Sequence, residues 1–168
     1  TLSLKKTTDF TGLVISPSLA PETVTLETAG KENGEIRMIG SKAILSLGPQ
    51  AKLSAEMIRR AGGALAKWLS VNNITTAGVE LGTLLGTGMP PSTSISAFAE
   101  GTLLGAFSFD TYKSGKENKS TQLNLLIDAN SGVNESELQK FIQQTTIIAN
   151  AVNLSREWAH EPPNIINP

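Results

Sequence analysis

Cysteine is absent from this 168-residue chain, and histidine and tyrosine occur once each. Without thiols there are no disulfides and no thiolate metal centres, so the chain would fold equally well in a reducing compartment. A lone histidine, His160, cannot build a cluster of imidazole ligands. Charge is scarce as well: Asp, Glu, Lys and Arg make up 17% and the net charge is -1. That leaves no excess of Lys and Arg to neutralise phosphates, so neither nucleic acid nor an acidic membrane is an expected partner. No apolar run approaches the ~18 residues of a membrane span. The opening Thr1-Leu2-Ser3-Leu4-Lys5-Lys6 lacks the apolar core of a secretory leader, and a cytoplasmic location is expected.

What is present is a hydrophobic fraction of 39%, enough to exclude general disorder. The length suits one domain that buries roughly two thirds of its unfolded surface. The strongest periodic signal lies at the C-terminal end. Leu138, Phe141, Ile142, Thr145, Ile148, Ala149, Val152 and Ala159 recur at three- and four-residue steps, which predicts a long amphipathic helix whose apolar face lies on a sheet. Asn134 is placed to cap its first turn, with Glu137 in capping-box position and Glu135 at the positive end of the helix dipole. Pro162 and Pro163 end it, and Glu161 before them is pushed towards extended geometry.

The first fifty residues read as four short strands: Leu13 to Ile15, Thr23 to Leu26, Ile36 to Ile39 and Ala43 to Leu47, each bounded by Gly, Pro or Asn. Ser54 then caps a helix with Met57, Ile58, Ala61, Leu65, Trp68 and Leu69 inward, ending near Asn72-Asn73. Gly62-Gly63 in its middle costs roughly 1 kcal/mol per glycine relative to Ala, which calls for a close backbone approach in return. A strand over Thr76 to Leu81 precedes a Gly/Pro loop, Gly82 to Pro91. A second helix is expected from about Ser94 to Tyr112-Lys113, with Glu100-Gly101 and Gly105 inside it. The loop Ser114 to Ser120, a strand over Leu123 to Ile127 and the turn Asn130-Ser131-Gly132 lead into the long helix. Alternating helices and strands with parallel-sheet crossovers predict an α/β domain, a three-layer α/β/α arrangement on a mixed sheet.

The chemistry-bearing residues are thin. His160, next to Glu161 at the end of a helix, suits the negative end of the dipole better than a ligand set. Glu100 and Asp110 are ten residues apart and Asp128 ends a strand, so the acids read as scattered surface charge. Gly82-Thr83-Leu84-Leu85-Gly86-Thr87-Gly88 follows a strand as a phosphate cradle would, but lacks the Lys-Ser/Thr of a P-loop and the glycine spacing of a dinucleotide fingerprint. Pro90-Pro91 also delays the helix that would face the phosphate. Trp68 and Trp158 read as packing or interface anchors. No residue is assigned a catalytic, cofactor-binding or metal-binding role.

Two stretches carry a recognisable pattern. One is Ala97-Phe98-Ala99-Glu100-Gly101-Thr102-Leu103-Leu104-Gly105-Ala106-Phe107-Ser108-Phe109-Asp110-Thr111-Tyr112-Lys113; the other is Asn153-Leu154-Ser155-Arg156-Glu157 with Glu161-Pro162-Pro163-Asn164 and Pro168. Both resemble the N-terminal domain of the leucine aminopeptidase (cytosol aminopeptidase) family of metallopeptidases, and the C-terminal stretch is similar to that family's linker into the catalytic domain. Leu45 to Gly48, Leu53-Ser54 and Ala61-Gly62-Gly63-Ala64 fit the same frame, so the resemblance covers about residues 36 to 168. Phe107 stands where the family often has Tyr.

The resemblance implies a macro-domain-like fold over residues 1–160, with 161–168 starting a linker to a catalytic domain outside this sequence. It implies two divalent metals, zinc or manganese, held by that catalytic domain, whose metal-binding and catalytic residues all lie beyond the linker. The expected partners are that C-terminal catalytic domain and, in the full-length protein, the other subunits of a homohexamer. The role implied for this domain is non-catalytic: assembly, and shaping access to an active site that removes N-terminal amino acids. The alternative is a free-standing macro-like module that binds a nucleotide or nucleic acid, through loops such as Gly82 to Gly88.

Overall fold

A computed structural model describes residues 1–20, 30–112, 121–129 and 131–165. In chain order it holds β1 (Leu2–Lys6), β2 (Leu13–Ser18), β3 (Ile36–Ile39), β4 (Lys42–Ser46), α1 (Ala55–Val71), β5 (Thr76–Glu80), α2 (Gly82–Leu85), α3 (Pro91–Gly105), β6 (Gln122–Ile127) and α4 (Glu135–His160). The strands form one sheet in the order β1-β6-β5-β2-β4-β3. Every neighbouring pair is parallel except β3 with β4, which a tight turn joins antiparallel. Gly40 in that turn has φ +60, a left-handed conformation that glycine adopts at little cost. The expected α/β class with a mixed sheet is what forms.

Strand residues alternate between faces, and register decides which side becomes core. Leu2, Leu4, Leu13, Ile15, Ala43, Leu45, Ala77, Val79, Leu123, Leu125 and Ile127 share one face. They merge with Ile58, Leu65 and Leu69 of α1, Ile95 and Phe98 of α3, and Leu138 and Ile142 of α4 into a single core. Among the described residues the three long helices therefore gather on one side of the sheet. The other side is more polar at its centre. Asn124, fully buried, accepts from Ser3 Oγ at 2.9 Å and donates through Nδ2 to the Ala77 carbonyl at 3.2 Å. Phe10 lies over Gly78, where any Cβ would come within 2.8 Å of its ring.

Helix boundaries follow the local chemistry. Ser54 caps α1, its Oγ accepting from Met57 N at 3.3 Å. The far end closes with Asn73 at φ 55, Ile74 N–H donating to Leu69 O and Asn73 N–H to Ser70 O. That is a Schellman arrangement with Asn in glycine's usual place. Asn134 caps α4 as expected, its Oδ1 accepting from Ser136 N and Glu137 N, and Glu161 is extended at φ -69, ψ 140.

Four expectations need correction or placement. β1 is absent from the sequence-based expectation, because five residues with two leucines on one face and Lys5-Lys6 at the end carry little strand signal; it exists by pairing with β6. Gly82 to Pro91 contains the short α2. The third helix starts at Pro91 and ends at Gly105, earlier at both ends than expected. Proline fits the first helical position because no N–H is needed there, so the Pro pair starts the helix instead of delaying it. The strand Thr23 to Leu26, the loop Ser114 to Ser120 and Asn130 lie outside the described residues.

Candidate functional site

α1 and α3 approach through glycines. A Cβ on Gly101 would fall 1.9 Å from the Arg59 carbonyl oxygen, one on Gly62 2.5 Å from the Phe98 carbonyl oxygen, and one on Gly105 2.6 Å from Gly63 Cα. The close approach that the Gly62-Gly63 pair required is thus supplied by the two glycines of α3. Arg59 fastens the edge of this contact, donating through Nε to Glu100 at 2.9 Å and through its guanidinium to Glu56 at 2.7 Å. Hydrogen bonds from Arg60 and then Arg59 hold the Glu56 carboxyl below the usual carboxylate range, while Glu100 first and Glu56 second raise Arg59 further.

The end of α3 is finished by α4. Asn153 Nδ2 donates to Leu103 O at 3.2 Å and Arg156 donates to Leu104 O at 3.1 Å, satisfying carbonyls that a helix end leaves open. The Arg156 guanidinium also lies 5.8 Å from the centre of the Phe107 ring. The chain leaving α3 then folds against the last turn of α4: His160 meets Phe109 at 5.4 Å and Phe107 at 5.9 Å between ring centres, and Phe109 meets Tyr112 at 5.8 Å. Tyr112 Oη donates a short hydrogen bond to Glu161, the residue before Pro162. This bond raises the Tyr112 hydroxyl above its ordinary pKa. The direction in which the chain leaves α4 is therefore set by side chains of the segment after α3. Phe107 and Phe109, expected inside a helix, act from the chain beyond its end.

The chemistry-bearing residues are not brought together. His160 Nδ1 sits 2.7 Å from the Arg156 carbonyl oxygen inside the aromatic cluster. Glu100 serves the α1–α3 ion pair, and Asp110 falls beyond α3. Among the described residues no three His, Cys, Asp or Glu side chains come close enough to hold a metal ion, so a two-metal centre does not fit them. In the Gly82 to Gly88 stretch Leu84 is fully buried and Leu85 packs against the core. An open cleft of about 700 Å³ between β1 and the start of α4 is lined by Leu4, Lys5, Lys6, Asp9, Glu135, Ser136 and Gln139. Its lining mixes both signs of charge and offers no fixed field to a charged ligand. No helix among the described residues is long and apolar enough to cross a membrane.

Sequence reasoning missed the outer side of α4. Ile148 and Val152, expected inward, are exposed, as are Ile147, Leu154 and Trp158. Leu138, Ile142, Thr145 and Ala149 alone carry the buried stripe. The repeat at Ile147, Ala151, Leu154 and Trp158 is a readable signal, hidden when a single inward face absorbs its neighbours.

The fold and the glycine-joined helices define an α/β domain. Residues 36–116 match the family model described as "Cytosol aminopeptidase family, N-terminal domain". This part of the chain is the N-terminal domain of the cytosol aminopeptidase family. Probable cytosol aminopeptidases of Rhizobium etli and Solibacter usitatus are 34% and 32% identical over 132 and 125 residues. In both cases the match takes in 74% of this chain and only 25% and 24% of the relative, so the chain spans about a quarter of the relatives' length. Among solved structures, a tomato leucine aminopeptidase mutant superposes with a TM-score of 0.73 at 17% identity, covering all of this chain and 39% of that one. The bottromycin maturation enzyme BotP, solved in complex with Mn, gives 0.71 at 20% identity, covering 93% of this chain and 33% of that one. At these identities the two structures speak for the fold.

Proposed function

We propose that the chain is the non-catalytic N-terminal domain of a metal-dependent leucyl aminopeptidase, a cytoplasmic enzyme that removes N-terminal amino acids from peptides. The observation that carries this reading is the family match to a domain that is only the first part of its relatives, which are some four times longer. The scattering of potential metal ligands over the described residues supports placing both divalent metals, zinc or manganese, in the part of the polypeptide beyond this domain. In the full-length protein the domain supports assembly of a homohexamer and shapes the approach of peptides to the active site. Residues 1–160 form the accessory domain and 161–168 begin its linker.

The test is hydrolysis of a chromogenic leucyl amide, with Mn²⁺ or Zn²⁺ supplied, by the 168-residue chain and by the full-length gene product side by side. Turnover by the full-length protein alone is expected. Turnover that purifies with the 168-residue chain overturns the reading, because it demands a metal centre built from these residues.

A further inference from the structure

α4 carries two apolar faces where one suffices to hold it in the fold. Ile147, Ala151, Leu154 and Trp158 succeed one another at steps of four, three and four, with Ile148 and Val152 beside them. At ~100° per residue this side is turned roughly 140° from the buried stripe of Leu138, Ile142, Thr145 and Ala149. Ile147, Ile148, Leu154 and Trp158 are 70%, 61%, 46% and 60% exposed. The first half of the same side bears Glu137, Lys140 and Gln144, as a solvated helix face should. The apolar character thus begins at Ile147 and runs to the end of the helix. Single exposed apolar residues are ordinary on a surface; a contiguous row ending in Trp marks a contact.

We infer that this face of α4 seats the part of the same polypeptide that follows the domain, through an apolar surface of that part packed in cis on Ile147, Leu154 and Trp158. The inference rests on the accessory-domain reading above. Three observations select this occupant. The relatives extend well beyond the matched region, and the solved chains of this fold are about three times as long as the part matched. The patch is confined to the last turns of α4, beside the exit at Glu161. That exit is held in one direction by the Tyr112–Glu161 bond and by the packing of His160 on Phe107 and Phe109. A partner tethered a few residues away acts at roughly millimolar effective concentration, so a small apolar patch suffices where a separate molecule would need a standard-sized interface. None of the six side chains is charged, which fits a permanent dry contact better than a reversible one.

No cysteine occurs in these 168 residues, so a thiol introduced here is the one label site of this domain and is read on its own peptide. In the full-length gene product, Leu154→Cys and Lys140→Cys are made separately; both positions are exposed in this domain, Lys140 in the polar first half of α4, well before the apolar row begins. Labelling by a maleimide is followed by peptide mapping. Covered by the following domain, position 154 should react about tenfold more slowly than position 140 in the native protein, and equally fast in denaturant. Equal native rates overturn the docking. Protection at 154 that vanishes on dilution, in step with loss of oligomers by size exclusion, overturns it in favour of a second copy. Leucyl amide hydrolysis by the same samples is read separately: equal labelling in an active enzyme leaves the aminopeptidase reading intact, and protection in an inactive protein leaves the docking intact and removes that reading.

Discussion

Gly101 shows how much one missing methyl group sets. Its α carbon faces the Arg59 backbone so closely that alanine would place a carbon 1.9 Å from a carbonyl oxygen, and backbone cannot step aside as a side chain can. Alanine is the better helix former by ~1 kcal/mol, but overpacking of this kind costs about 1–3 kcal/mol and more when two helices must part. Gly101→Ala should therefore lower stability by about 2 kcal/mol in urea unfolding; a variant as stable as the parent would show that α1 and α3 separate freely. Tyr112 gives a prediction at the same scale. Its hydroxyl proton is held by Glu161, so its folded pKa lies above the ordinary value. The contribution of this bond is fully present below the unfolded pKa of about 10 and is lost as pH rises through the folded one. Absorbance of the phenolate, from the only tyrosine in the chain, should appear at higher pH in the folded than in the urea-unfolded protein. In Glu161→Gln the two titrations should draw together.

Among the elements, α3 depends on α4 for its end. Removing Arg156 leaves the Leu104 carbonyl without its charged donor and Phe107 without its cation, a loss of about 2 kcal/mol. Arg156→Ala should also speed amide exchange in the last turn of α3 while α1 is unchanged; uniform exchange would mean that α3 ends independently of α4. The long elements are legible in the sequence because each signals itself locally: Ser54 and Asn134 cap where a cap is expected, and Pro162 closes α4 at its expected place. β1 is not legible, since its five residues become a strand by pairing with β6 more than a hundred residues on. The start of α3 is obscured for a different reason. A proline pair is a barrier within a helix but a start signal at its first position, and only the chain around Pro91 decides which applies. The outer face of α4 has its pattern in plain sight. A single periodic stripe claims residues that belong to two.

For the whole molecule, the near-neutral charge predicts that the chain passes through immobilised duplex DNA at 50 mM salt without retention; salt-reversible retention would reveal a basic surface outside the described residues. The sheet order carries a further consequence. Among the described residues β1 occupies one edge and pairs with β6 alone, and Ser3 and its partner Asn124 are 121 residues apart. During synthesis the ribosome makes the β6 partner of Ser3 121 residues after Ser3 itself. At ~5–20 residues per second, β1 waits roughly 6 to 24 s for its template. The β2–β4 pair and β5 can assemble in that interval, while the N-terminal leucines stay uncovered and open to other nascent chains. Slowing translation between β5 and β6 should therefore lower soluble yield, and a chaperone that holds the first six residues of the domain should restore it.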